Sequence, residues 1–86
     1  MSEPKLLRYN HLYRLMERKD ELGKPKSFRL KYICMDGTIM ESSNVICTSV
    51  DVRHRKRNIR FVDSGQVRTI HDVLVLEVDD FKIVVN

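Results

Sequence analysis

The sequence predicts a mainly β fold of the α+β class: an N-terminal amphipathic helix, then a five- to six-stranded antiparallel meander closing into a small barrel. Three observations carry this prediction. Apolar residues recur at helical spacing through residues 5–22, the period drops to two after Ser27, and the connections between the later apolar runs are short and rich in turn formers.

The helix is predicted from Lys5 to Leu22. Pro4 suits a first helical turn, and Gly23 followed by Pro25 is a strong stop signal. Leu6, Tyr9, Leu12, Tyr13 and Met16 fall on one arc and form the expected packing stripe. Arg8, His11, Arg14 and Arg18 fall on the other side, with Leu7, Leu15 and Leu22 scattered among them.

In "SFRLKYICM", Phe28, Leu30, Tyr32 and Cys34 share one phase and Arg29 and Lys31 the other. Asp36-Gly37 supplies a two-residue hairpin turn. Thr38 to Glu41 begins the return strand, "ESSN" is expected to interrupt it, and "VICTSVDV" resumes through Val52. The basic stretch then reads as a connection and "NIRFV" as the next strand. After the Asp63-Ser64-Gly65 turn come "QVRTI", "VLVLEV", a turn at Asp79-Asp80 and "FKIVV". Connections this short imply antiparallel neighbours, and closure of the sheet would remove its exposed edges. The helix would plug one end or cover one face.

At 86 residues there is room for a single domain spanning 1–86, with the helix at 5–22 and the barrel at 27–86. Apolar residues at 42% and charged residues at 33% suit a globular chain rather than a disordered one. No apolar run approaches the roughly 20 residues of a membrane span. "MSEPKLLRYN" lacks the apolar core of a secretory signal, so a cytoplasmic location without membrane contact is expected. Cys34 and Cys47 form no CxxC pair, which argues against zinc; both are expected as reduced, buried thiols.

Enzymatic constellations are absent from the sequence pattern. His11, His54 and His71 lie in separate elements without metal-ligand spacing, and Asp79-Asp80 reads as a turn rather than an acid/base pair. Ser42-Ser43 reads as loop, and pairing either cysteine with His71 as a nucleophile is weaker than a structural role. The three glycines sit in separate turns and cannot cradle a phosphate. No enzyme activity, cofactor or metal is expected.

Charge is the most informative feature. Residues 1–31 carry nine basic and four acidic side chains, a balance of +5, and residues 32–52 carry three acids and no base, −3. Residues 53–70 carry six bases and one acid, +5, and residues 71–86 one base and four acids, −3. The surface should therefore be dipolar, with local patches deciding what it attracts. In "VRHRKRNIRF", five of the eight residues from Arg53 to Arg60 are Lys or Arg. Arg53, His54, Arg55, Lys56 and Arg57 are candidate phosphate contacts at a hairpin tip, extended by Arg60 and Arg68. Arg8, Arg14 and Arg18 form a candidate second basic face. Counterion release rewards such charge density on DNA or RNA backbone. No exposed aromatic is expected beside the tip, since Tyr9 and Tyr13 lie on the apolar stripe and Phe28 and Tyr32 share the phase of Leu30. The alternative is a structural or interaction module, in which basic tip and acidic hairpin meet a protein partner or a second copy. One continuous basic surface would favour nucleic acid; opposed basic and acidic faces would favour assembly.

From Ile59, "IRFVDSGQVRTIHDVLVLEVDDFKIVV" resembles the strand-turn-strand core of WYL-type domains, small barrels of the Sm-like and SH3-like class. The likeness rests on Ile59-Arg60-Phe61, the turn glycine, Arg68 before an apolar residue, and the final hairpin. It spans residues 59–85, about a third of the chain. The Trp-Tyr-Leu tripeptide is missing, with Phe81-Lys82-Ile83 near its place, and no helix-turn-helix pattern precedes the barrel. The resemblance implies a small barrel from a bacterial, phage or mobile-element setting that senses ligands or nucleic acid, with Arg60 and Arg68 as candidate contacts.

Overall fold

The period-two pattern after Ser27 folds into strands, and the N-terminal segment contributes one more. In the computed structural model, which describes residues 5–84, seven strands form one mixed sheet. They are β1 Lys5–Arg8, β2 Phe28–Ile33, β3 Ile39–Asp51, β4 Lys56–Phe61, β5 Val67–His71, β6 Val75–Val78 and β7 Phe81–Val84. Their order is β1-β7-β6-β2-β3-β4-β5, antiparallel throughout except for the parallel pair β1 and β7. Pro4 and Val85, read as helix start and last-strand residue, lie outside the described residues.

β2 through β5 form the predicted antiparallel meander. The chain then leaves it: a 3₁₀ turn at Asp72–Leu74 carries β6 across to pair with β2. Phe28, Leu30 and Tyr32 face inward in the expected phase and meet Val45, Cys47, Ile59, Ile70, Val75 and Val78 in one core. The predicted turns form where left-handed backbone was needed. Gly37 has φ 91° and the Cys34 N–H donates to Thr38 O at 2.7 Å. In the two-residue turn between β6 and β7, Asp79 takes φ 51°.

Three expectations are corrected. The sheet does not close into a barrel: β1 and β5 are its two edges, and no backbone pairing joins them among the described residues. The N-terminal segment covers the core in place of strand closure. That segment is not a helix over 5–22 but β1, a 3₁₀ turn at Tyr9–His11, and one helical turn, α1, at Tyr13–Met16. A continuous helix would direct Leu7 and Leu15 away from its stripe. The broken path instead buries Leu12, Leu15 and Met16 and packs Leu7 against the core, while Leu6 and Tyr13 turn outward. Tyr9-Asn10-His11 are also mediocre helix formers with no cap to help them. Beyond α1, Asp20 Oδ1 accepts the Leu22 and Lys24 N–H groups, both at 2.9 Å, so Gly23 (φ 78°) belongs to a capped loop.

The third correction concerns "ESSN", which does not break the strand. β3 runs unbroken for 13 residues, pairing with β2 through its first half and with β4 through its second. The register slips between Phe28↔Val45 and Leu30↔Ser42, so the turn-forming residues make a bulge within the strand rather than a loop. Both cysteines are free thiols: Cys34 is half-buried just past β2, and Cys47 is buried in β3.

Ion pairs fasten the N-terminal segment to the sheet. Arg18 reaches Asp79 at 2.6 Å, while Asp79 Oδ1 accepts the Arg29 N–H at 3.0 Å. Across the strands, Arg29 lies between Glu41 at 2.8 Å and Glu77 at 3.1 Å, and Lys31 adds a contact to Glu77 at 3.4 Å. The Arg29 hydrogen bond, against partial burial and with help from Lys31, holds Glu77 below the usual carboxylate range. A depressed folded-state pKa means its stabilisation is present above the unfolded value and is lost as pH falls through the folded one. Glu77→Gln should therefore show a smaller loss of stability between neutral and acidic pH than the parent, read by urea denaturation. Because the group is partly exposed, the difference should stay below about 1 kcal/mol.

The broken N-terminal path gives a sharper test. Leu12 is fully buried and Leu6 is 61% exposed. Leu12→Ala should cost about 2–5 kcal/mol and Leu6→Ala no more than about 0.5 kcal/mol. Comparable losses at the two positions would restore the continuous helix stripe.

Candidate nucleic-acid interface

The basic stretch divides into a short exposed turn and the start of a strand. The turn is residues 52–55, closed by a hydrogen bond from the Arg55 N–H to Val52 O at 3.3 Å. Asp51 organises it, accepting the His54 N–H at 3.1 Å and contacting His54 Nδ1 at 2.8 Å. That side-chain bond, then the backbone bond, hold the Asp51 carboxylate below its ordinary range, with Lys56 contributing. Arg55 adopts φ 54°, which turns its side chain back toward the N-terminal segment. Its guanidinium lies 5.5 Å from the Tyr9 ring centre and donates to the Tyr9 hydroxyl. Arg53 projects into solvent.

Arg57 is not part of the exposed tip. β4 already begins at Lys56, so Arg57 shares the inward phase of Ile59 and is only 5% exposed. Its Nε donates to Asp72 Oδ1 at 2.8 Å and its Nη1 to Glu17 Oε2 at 3.2 Å, with Cys47 Sγ 4.0 Å away. Burial works against the charge, but the Asp72 hydrogen bond and the surrounding acids outweigh it and leave the Arg57 pKa raised. Arg57, predicted as a phosphate contact at the exposed tip, is thus corrected to a buried cation held by Asp72 and Glu17. Burial on the same strand face pushes the Cys47 thiol up, against Arg57.

The remaining sequence candidates scatter. Arg60 pairs in register with Val67, whereas Arg68 pairs with Ile59, so the two arginines point to opposite faces of the sheet. Lys56 lies on the Arg60 side. Arg8 is exposed on edge strand β1 and Arg14 is exposed with its guanidinium 6.0 Å from the Tyr13 ring. Arg18 is tied to Asp79 and to Leu15 O, so it does not join the tip.

What the fold does bring together is a cleft of about 420 Å³ between the N-terminal segment and the β3–β4 hairpin. Tyr9 and Tyr13 line one side, Val50, Val52 and Arg55 the other, and the Arg57–Asp72–Glu17 group forms its floor. Tyr13 is 49% exposed. Aromatic surface therefore stands beside the basic tip, contrary to the expectation from the helical stripe. The floor carries two carboxylates for one guanidinium, while the rim carries Arg55, with Arg53 and Lys56 on the same hairpin. Positive charge therefore stands at the rim and not at the floor. Among the described residues no group of three or more His, Cys, Asp or Glu is placed to hold a metal, and no helix is long and apolar enough to cross a membrane.

Asp72 and Glu17 were invisible as site residues because their partner lies far off in sequence. The phase of Arg57, two residues before Ile59 on the same strand, was the available signal. No family model, curated protein or solved structure matches the chain.

The buried pair has a measurable consequence. Asp72→Asn leaves Arg57 buried with only the partly exposed Glu17 as counterion, and should destabilise the fold by about 3–5 kcal/mol in urea. The double variant Arg57→Met/Asp72→Leu should recover most of that loss, since Glu17 can turn to water. Equal behaviour of single and double variants would remove the uncompensated charge as the cause.

Proposed function

We propose that the protein binds single-stranded nucleic acid at the cleft between residues 9–17 and the 52–55 turn. Arg53 and Arg55 hold the backbone at the cleft, Lys56 adds charge from the other face of the hairpin, and a base stacks against Tyr9 or Tyr13. The observation that carries this reading is the tyrosine-lined cleft directly beside the exposed cations. Charge density alone would serve any polyanion, whereas a stacking surface at the same place favours unpaired bases. Arg14, beside Tyr13, extends the cationic rim. The contacts are to backbone and ring faces, so sequence preference should be weak. The role is that of an accessory or regulatory factor rather than a catalyst, and the WYL-type resemblance is not needed for it.

Binding to a labelled oligonucleotide should weaken linearly with the logarithm of salt concentration. Each of Arg53→Gln and Arg55→Gln should reduce that slope by about 0.7 as its phosphate contact is lost, and Lys56→Gln by less. Tyr13→Ala should cost about 1–3 kcal/mol of binding with little change in slope, because stacking releases no counterion. Duplex of the same length should bind more weakly. If the parent shows no salt-dependent binding at low ionic strength, the tip belongs to the interaction-module alternative, and the triple Gln variant should instead lose self-association or a protein partner.

A further inference from the structure

A second cavity, also of about 420 Å³, opens between the β2–β3 turn and β5 and shares no residue with the tyrosine cleft. Ile33, Met35, Ile70 and Leu74 supply apolar wall. Tyr32, Arg68 and His71 supply polar groups, with Thr69, Cys34 and Asp36 completing the lining. Two features set it apart from an ordinary surface dent. Tyr32 is 3% exposed, and its hydroxyl is buried with no nitrogen or oxygen partner, only the weakly bonding Cys34 thiol beside it. Such an orphan is rare in a folded protein and calls for an explanation. Arg68, opposite Ile59 in the register, carries its charge on the inner face at the sheet edge and has no carboxylate partner among the described residues.

We infer that this cavity binds a small organic monocarboxylate with an apolar ring or short chain, its carboxylate seated between the Tyr32 hydroxyl and the Arg68 guanidinium. A carboxylate accepts from both donors at once, and a charge-assisted bond is the strongest one a neutral phenol can make. Burial first, with Cys34 adding and Arg68 opposing, holds the Tyr32 pKa above its ordinary value, so the phenol stays a donor at neutral pH. The apolar walls take the ring or chain, and the volume suits a ligand of that size. Asp36, ionised and accepting the Thr38 N–H at 2.9 Å, lies on the turn side and disfavours a second anionic group. The hydroxyl is sealed from bulk water, so entry of the carboxylate requires a wall side chain to shift; Arg68 and Met35 are both exposed and able to do so.

The test uses benzoate as probe, with benzamide and benzylammonium as neutral and cationic controls, titrated into the isotopically labelled full chain and followed by amide NMR. Benzoate should give saturable shifts confined to residues 32–36 and 68–74, benzamide weaker ones and benzylammonium none. Tyr32→Phe and Arg68→Gln should each reduce benzoate affinity roughly tenfold or more, the loss expected for a bond to a charged group. Without ligand, Tyr32→Phe should melt no lower than the parent, since it removes an orphan hydroxyl and leaves the ring. In the parent, benzoate should also slow alkylation of Cys34. Equal response to the three probes, absence of saturable shifts, unchanged affinity in both variants, or no protection of Cys34 would each overturn the assignment.

Discussion

The arrangement of this molecule turns on one buried cation. Arg57 emerges from the middle of a basic run, yet its strand phase sends it into the core, where Asp72 and Glu17 receive it. Removing a guanidinium from water costs several kcal/mol, and the attraction to its partners does little more than offset that cost. Its consequence is therefore geometric more than energetic. Once Arg57 is inside, Asp72 must be brought up to it, which places the 3₁₀ turn after β5, and the Asp72 N–H then bonds Arg55 O at 2.9 Å. Glu17 must be brought up from the opposite side, which lays the end of α1 across the sheet. The cleft exists because these two segments are held on either side of one side chain.

That constraint also sorts the charges. Neutralising Arg57 internally, and engaging Arg18 and Arg29 with Asp79, Glu41 and Glu77, leaves Arg53, Arg55 and Lys56 as the cations clustered on the hairpin. A uniformly basic tip would repel itself. A tip with one cation turned inward places charge at the rim and aromatic surface within reach, the combination on which the proposed function rests. Arg68, on β5 and facing the inner side, lies apart from this cluster and lines the cavity that includes Tyr32.

Much of the sheet was legible because its physics is local. Phe28, Leu30 and Tyr32 alternate cleanly, Asp36-Gly37 and Asp79-Asp80 carry their own turn chemistry, and short connections leave successive antiparallel pairing from β2 through β5 as the simple solution. The failures lie where a distant contact decides. The Leu6–Met16 stripe is a real helical pattern, but it is outweighed by the gain from burying Leu7 and Leu15 and pairing Lys5–Arg8 with Phe81–Val84. "ESSN" carries loop chemistry, yet strands on both sides of β3 convert it into a bulge. Of the predicted site residues, Arg53 and Arg55 remain together on the exposed turn, whereas Arg57 turns inward, Lys56 and Arg60 take the face opposite Arg68, and Arg18 is engaged by Asp79. The tyrosines of the cleft were hidden by the helix that does not form.

The most direct measurement of this account is the exchange of arginine side-chain Nε–H protons with water, followed by NMR at neutral pH. Arg57 should give a resolved, slowly exchanging signal that is insensitive to added salt, while Arg53, in the exposed 52–55 turn, exchanges at the rate of a free guanidinium. An Arg57 signal that exchanges as fast as that of Arg53 and moves with salt would place it in solvent, and the cleft, its floor and the division of the basic run would fall together.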